Sequence, residues 1–331
     1  MLWVTPYTAT DGKELIEQIF PQYNQEAERY LLRNAAGDPA LMLGWNGYSF
    51  MHDLTNPYDK ALLDRRLHAL MEEYGIDGFK FDGGSLEGYT ARMMVNGPPK
   101  AGYDPVALNI AWNDFGARYA FHEYKDTFKG GGKAVIQRLR DRDHAWDGGN
   151  GLDSILPSAL VAGLIGHPYI CPDMIGGGEW TIREKYSDRF DPELFVRMAQ
   201  ASALFPMMQF SWAPWDDLDA QDLAIVREAA ALHTALSSEI LALVEHARLT
   251  GEPIMRPLEY EYPNEGYARI SDQFLLGHDI LVAPVMQKSA TSRTVVFPAG
   301  RWQSQTDGTV YESGTHIVPA PRAALPWFRR A

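Results

Sequence analysis

The chain has a single cysteine, Cys171, among 331 residues. This excludes an internal disulfide framework and a cysteine-rich zinc site, and the apolar setting HPYICPDM marks Cys171 as a buried thiol rather than a nucleophile. Basic residues are also in deficit. The 30 Lys and Arg face 43 Asp and Glu, a net charge of −13, which argues against a nucleic-acid partner and suits a neutral or cationic ligand. No stretch reaches the roughly 18 apolar residues that a membrane helix needs, and MLWVTPYTATDGKE lacks the basic start and apolar run of a signal peptide. The chain therefore reads as soluble, without a membrane partner and cytoplasmic by default. There is no repeat of solenoid period and no low-complexity segment. The rest is ordinary globular composition, 46% apolar and 22% charged, enough for one large domain with or without a small companion.

Strand-like and helix-like stretches alternate. LWVTPY opens as a strand, KELIEQIF reads as a helix, and LMLGWNGYSF carries Trp45. The clearest helix follows: Asn56 to cap it, Pro57 in its first turn, Leu63, Leu67, Leu70, Met71 and Tyr74 at helical spacing, and Gly75 to stop it. The strand GFKF comes next. Helix, glycine stop and short buried strand form half of a β/α repeat, so the sheet should be parallel and covered on both faces. A helix is expected through AWNDFGARYAFHEYK, a strand at AVIQRL, and helices from about Leu152 to Leu164, from Pro192 behind the cap Asp191 to about Met208, and from about Asp222 to Leu249. From Gly251 the runs DQFLLG, DILVAPVM, RTVVFPAGRW and THIVPA read as a small all-β domain. The expected division is a catalytic α/β portion over 1–250 and a β-sandwich over 251–331.

In parallel β/α folds, polar groups at the C-terminal ends of strands face the ligand. Asp82 ends GFKF, Asp141 follows AVIQRL, and Asp173 follows PYIC. Each alone could be a helix cap, a turn or a solvated ion pair. Two carboxylates on one cleft suit glycoside hydrolysis, one attacking the anomeric carbon and one protonating the leaving oxygen. Trp45, Trp146, Trp180, Trp212 and Trp215 fall near the strand-end loops, where indole faces could pack on sugar rings, although core packing is the ordinary use of any one of them.

The stretches WNG (45–47), FKFDGG (79–84), RDRDHAW (140–146), GHPYICPDMIGGG (166–178), ELFVRMAQASALFPMMQFS (193–211), PIMRPL and DQFLLGHDILVAPV resemble, in order, those of the family 31 glycoside hydrolases. Within that family the chain is most similar to the branch holding the myogenesis-regulating glycosidase and bacterial α-galactosidases. The resemblance implies retaining α-glycosidases on a (β/α)8 TIM-type barrel, with no cofactor or metal and a glycoside or oligosaccharide as substrate. By it, Asp82 is the nucleophile and Asp141 the acid/base, because the family places an acid five residues before a tryptophan, here Trp146. Trp45, Lys80, Arg138, Asp173 and Arg197 match positions that line or support the sugar pocket. Lys80, two residues from Asp82 on one strand, is also expected on its face, where an ammonium favours the ionised carboxylate. Ser211 stands where many α-glucosidases of the family carry a histidine, which argues against an α-glucosidase and favours galactose or another sugar. LWVTPY resembles the third barrel strand, so the first two strands are expected to be missing and a sheet edge to lie uncovered.

Two other readings remain at this level. One is a metal-dependent hydrolase built on DRDH (141–144), His52 and Asp53, whose histidines lack a ligand spacing. The other is a non-catalytic sugar-binding relic. The sequence carries no signal for oligomeric state, linkage or aglycone.

Overall fold

The computed structural model describes residues 1–9, 30–44, 47–177, 190–210 and 212–331. They form two compact units, Met1–Gln137 and Arg138–Ala331. The KELIEQIF stretch, Trp45, Trp180 and Ser211 lie outside the described residues.

In the first unit, β1 (Leu2–Val4) and β2 (Tyr7–Ala9) are followed by the hairpin of β3 (Leu41–Gly44) and β4 (Gly47–Met51), with β4 between β2 and β3 in an antiparallel sheet. Helix α1 (Pro57–Tyr74) begins and ends as its sequence requires. Asn56 Oδ1 accepts from the Tyr58 amide at 3.0 Å, and Gly75, at φ 64°, donates to Met71 O at 3.0 Å. Leu63 and Leu67 are buried and Leu70 and Met71 partly so, but Tyr74 points to solvent. Next come β5 (Gly78–Phe81), α2 (Pro105–Gly116) and β6 (Phe121–Tyr124), with β5 parallel to both β1 and β6. The single helix expected through AWNDFGARYAFHEYK is thus two elements. The helix stops at Gly116, where an added Cβ would lie 2.0 Å from the Tyr124 hydroxyl, and the β-favouring FHEY pairs with β5. Phe79 and Phe81 point to one side of β5, where Phe81 meets Tyr124 at 4.9 Å and Trp112 at 5.2 Å between ring centroids. Side chains alternate along a strand, so Lys80 and Asp82 point to the other side.

Strand β7 (Gln137–Arg138) spans the boundary in the chain, and only two residues of AVIQRL are strand. In the second unit, α3 (Ile155–Leu164) leads to β8 (Ile170–Cys171) and β9 (Met174–Ile175), and Leu139 N donates to Cys171 O at 2.9 Å. Helix α4 (Pro192–Ser202) is capped by Asp191, whose Oδ1 accepts from the amides of Glu193 and Leu194. It ends six residues before the expected Met208. Strand β10 (Gln209–Phe210) runs parallel to β9. The long helix expected from Asp222 to Leu249 is two helices, α5 (Ala220–Ala235) and α6 (Ser237–Thr250), broken at Leu236, whose ψ of 6° leaves the helical range. The main core gathers α3, α4, α5 and the strands between them around Leu156, Phe195, Leu204 and Phe205.

The C-terminal β region is one six-stranded antiparallel sheet rather than two hydrogen-bonded sheets. It contains β11 (Met255–Arg256), β12 (Phe274–Leu276), β13 (Ile280–Val282), β14 (Ser292–Ser304), β15 (Val310–Pro319) and β16 (Trp327–Arg330), in the order β11-β12-β13-β16-β14-β15. Phe328 pairs with Ser304, which on a straight strand would stand about 23 Å from Phe297, seven residues away. The Phe297 and Phe328 rings nevertheless meet at 4.8 Å. The strand therefore folds back at the register slip between Phe297 and Arg301, and the two halves of a single sheet close on Val295, Phe297, Trp302 and Leu281.

Candidate active site

Asp82 directly follows β5, and its amide extends the parallel ladder by donating to Val4 O at 2.8 Å. Its side chain is buried and well supplied with donors. Trp3 Nε1 donates to Oδ2 at 3.0 Å, the Gly83 amide to Oδ1 at 2.7 Å, and the Lys125 ammonium stands 3.7 Å from Oδ1. Donors and a cation of this kind suit an ionised carboxylate. The turn beneath it needs glycine twice. Gly83 and Gly84 have φ of 65° and 66°. A Cβ on Gly83 would lie 2.4 Å from the Tyr7 ring, and one on Gly84 2.4 Å from Trp112. Tyr7 fixes the turn from the other side, accepting from the Gly84 amide at 3.2 Å. Burial raises the Tyr7 hydroxyl's proton affinity, and the nearby charges of Asp82 and Asp126 add to that.

Lys80 lies on the expected face. It is the register partner of Trp3 on one side and of Glu123 on the other, and its ammonium is 2.9 Å from the buried Glu123 carboxylate. The Lys125 ammonium stands beside Asp82, at 3.7 Å, and the sequence assigns it no role because it falls at the end of the expected helix. The signal was present: a charged residue directly after a four-residue β-type run, as Asp82 follows GFKF. Trp3 and Tyr7 were passed over because they sit in the opening strand segment rather than at a recognised motif.

In the second unit, Arg138 Nη1 bridges two carboxylates, 2.6 Å from Asp141 Oδ1 and 2.7 Å from Asp173 Oδ1. Asp173 is buried, holds φ 83°, and accepts the Arg142 amide on Oδ2 at 2.8 Å. Burial raises the pKa of its carboxyl, and Arg138 opposes this. The positive φ suits a short side chain that bonds locally. Asn150 Nδ2 donates to the Asp141 carbonyl at 2.7 Å, so Asp141 is tied through its backbone while its side chain keeps partial access to solvent. Thus Arg138, Asp141 and Asp173 are brought together, and Lys80 and Asp82 share a strand face.

Arg197 has a different set of partners. Its guanidinium is buried and donates to Gln200 Oε1 at 2.9 Å and to the carbonyls of Ala324, Ala290 and Ala320 at 3.0 to 3.1 Å. This geometry joins α4 to the 320–324 segment. Among the tryptophans, Trp146 donates to Asp191 Oδ2 at 2.9 Å, Trp212 stacks in the core and Trp215 is exposed. In DRDH, the two ring nitrogens of His144 are engaged by Gly176 O and the Asp191 amide. His52 Nδ1 is likewise held by Asp59, at 2.7 Å. Among the described residues, no three His, Cys, Asp or Glu side chains are grouped to hold a metal ion.

With this geometry in place, comparison with known proteins is informative. The glycosyl hydrolase family 31 TIM-barrel domain matches residues 1–236, and the family's C-terminal domain matches 251–331. The myogenesis-regulating glycosidase of Mus musculus is 33% identical over 92% of this chain and 42% of its own length. The sulfoquinovosidase of Escherichia coli (strain K12) is 28% identical over 100% of this chain and 49% of its own. Among solved structures, a family 31 sulfoquinovosidase from E. rectale, bound to an aza-sugar inhibitor, superposes with a TM-score of 0.84 at 22% identity, over 99% of this chain and 50% of that one. A cycloalternan-degrading enzyme from Trueperella pyogenes, in complex with a covalent intermediate, gives 0.84 at 22% identity over 100% and 47%. These structural likenesses establish the fold. The chain spans about half the length of the curated relatives it matches.

Proposed function

Because the chain belongs to glycoside hydrolase family 31, we propose that it is a retaining α-glycosidase for terminal α-linked sugars, with Asp82 as nucleophile and Asp141 as acid/base. Asp82 attacks the anomeric carbon while Asp141 gives a proton to the departing oxygen. Asp141 then takes a proton from the water that releases the sugar from Asp82. Lys80, Arg138 and Asp173 support the pocket. The observation that carries the reading is the setting of Asp82: a buried carboxylate at a strand end with Trp3 and Gly83 as donors and the Lys125 ammonium 3.7 Å away. The covalent intermediate in a structural neighbour agrees with it. Arg197 acts through packing rather than on the sugar. Galactose is the first candidate, on the motif resemblance alone. Relatives named sulfoquinovosidase and α-glucosidase make those sugars the controls.

The test is turnover of aryl α-galactoside, α-glucoside and α-sulfoquinovoside by the protein and by Asp82→Asn. Wild-type turnover of one of them should fall at least about a thousandfold in the variant. Near-wild-type turnover in Asp82→Asn overturns the assignment. A preference for glucoside or sulfoquinovoside replaces galactose, and binding without turnover by the wild type would mark a sugar-binding relic. Activity that disappears with a chelator would restore the metal-dependent reading.

A further inference from the structure

His144 is buried three residues beyond Asp141. The Asp191 amide, which can only donate, lies 2.9 Å from Nε2. Nε2 is therefore an unprotonated acceptor, and the hydrogen sits on Nδ1, which donates to Gly176 O at 3.1 Å. The ring is stacked on Phe190 at 5.3 Å and on Trp212 at 5.5 Å. One neutral imidazole thus ties together the loop after β7, the segment three residues past Asp173, and the cap of α4. The loop is closed on itself by Asn150 on the Asp141 carbonyl at 2.7 Å and by the Leu152 amide on Ala145 O at 2.9 Å. Trp146 adds a second link to Asp191.

We propose that neutral His144 is a positioning residue that holds the Asp141 loop in its working place and releases it when the ring is protonated. The proposal rests on Asp141 being the acid/base. A protonated ring would set N–H against N–H at Asp191, so that bond must break. Among the described residues, few charged groups face the ring. The α4 cap presents the Asp191 carboxylate, itself bound to Lys288 at 2.7 Å. The Gly176 segment presents a carbonyl and the Trp212 segment an indole, while Asp173 is turned to Arg138 and the Arg142 amide. Burial lowers the ring's proton affinity, and the Gly176 bond and Asp191 act the other way.

The experiment compares His144→Ala and His144→Gln with wild type on phenyl and dinitrophenyl α-glycosides of whichever sugar is cleaved. A dinitrophenolate departs without an acid. Displacement of Asp141 should therefore cost His144→Ala about a hundredfold in kcat/KM on the phenyl glycoside but only about threefold in kcat/KM on the activated one, because that ratio reports the first step alone. Gln keeps an acceptor and does not titrate, so His144→Gln should retain more activity and lose the transition in the pH profile. Equal losses on both substrates would overturn the proposal. Asp141→Ala is measured alongside: if it shows no leaving-group dependence, it is the acid/base assignment that has failed. NMR of the protein gives a readout independent of turnover. His144 should be the neutral Nδ1–H tautomer, and the Asp191 amide and residues 141–147 should shift with its titration. An Asp191 amide indifferent to that titration overturns the clasp whatever the activity.

Discussion

Replacing Arg197 with methionine separates a packing role from a sugar-binding one. The change keeps the aliphatic stem and removes four hydrogen bonds of 2.9 to 3.1 Å, to Gln200, Ala290, Ala320 and Ala324. Each acceptor left buried without a donor costs about 1–3 kcal/mol, so the four sum to roughly 4–12 kcal/mol before relaxation. Water can reach part of the 320–324 segment, and loss of the buried charge returns some desolvation energy. The net effect should fall near the lower end, about 4 kcal/mol. Chemical denaturation followed by Trp fluorescence measures it, with Arg197→Lys as the intermediate case, because an ammonium cannot span the same acceptors. A variant that loses less than about 1 kcal/mol yet shows a raised KM would refute the packing account and restore Arg197 to the sugar pocket.

Three further outcomes are expected. If Asp82 and Asp141 are the retaining pair, the first sugar product keeps the α configuration by NMR and the carboxyls of the competent enzyme lie about 5–5.5 Å apart; a β-anomer seen first contradicts the pairing. Gly84→Ala should lose more than about 2 kcal/mol of stability, since a Cβ would meet Trp112 at 2.4 Å on a backbone at φ 66°; a melting temperature unchanged by the substitution would contradict the packing at that turn. The buried rings of His144 and His167 bind protons less readily when folded. Their contribution to stability is therefore complete above the unfolded-state pKa of about 6.5 and is lost as pH falls below it. Thermal melts should show a lower midpoint at pH 5 than at pH 7, with a smaller difference in His144→Gln.

What could be read from the sequence follows how local each signal was. The cap Asn56 and stop Gly75 bound α1 because capping is decided within four residues, and GFKF with Asp82 was legible because strand alternation and a terminal acid sit side by side. The bond between Arg138 and Asp141 lies within one turn of chain, whereas Asp173, 35 residues from Arg138, is legible only as a separate strand-end acid and motif position and not as a partner of Arg138. FHEY was hidden in a helical pattern because Trp112, Phe115 and Tyr119 are spaced like a helix face, and only the approach of Tyr124 to Gly116 ends it. Lys125 was lost with that boundary. Arg197 is the opposite case: a motif position whose hydrogen bonds, to carbonyls more than 90 residues away in the chain, no local pattern announces.

Cys171 has a consequence beyond its burial. It is the chain's only thiol, its side chain is sealed in strand β8 with Gln209 Nε2 2.8 Å from the sulfur, and its carbonyl holds Leu139 in the stretch that leads to Asp141. A thiol reagent can reach it only when that strand opens. The rate of labelling, divided by that of an exposed thiol, therefore gives the opening equilibrium of this one strand in the otherwise native protein. A single natural sulfur thus provides a clock for local breathing at the base of the acid/base loop, with no engineered probe.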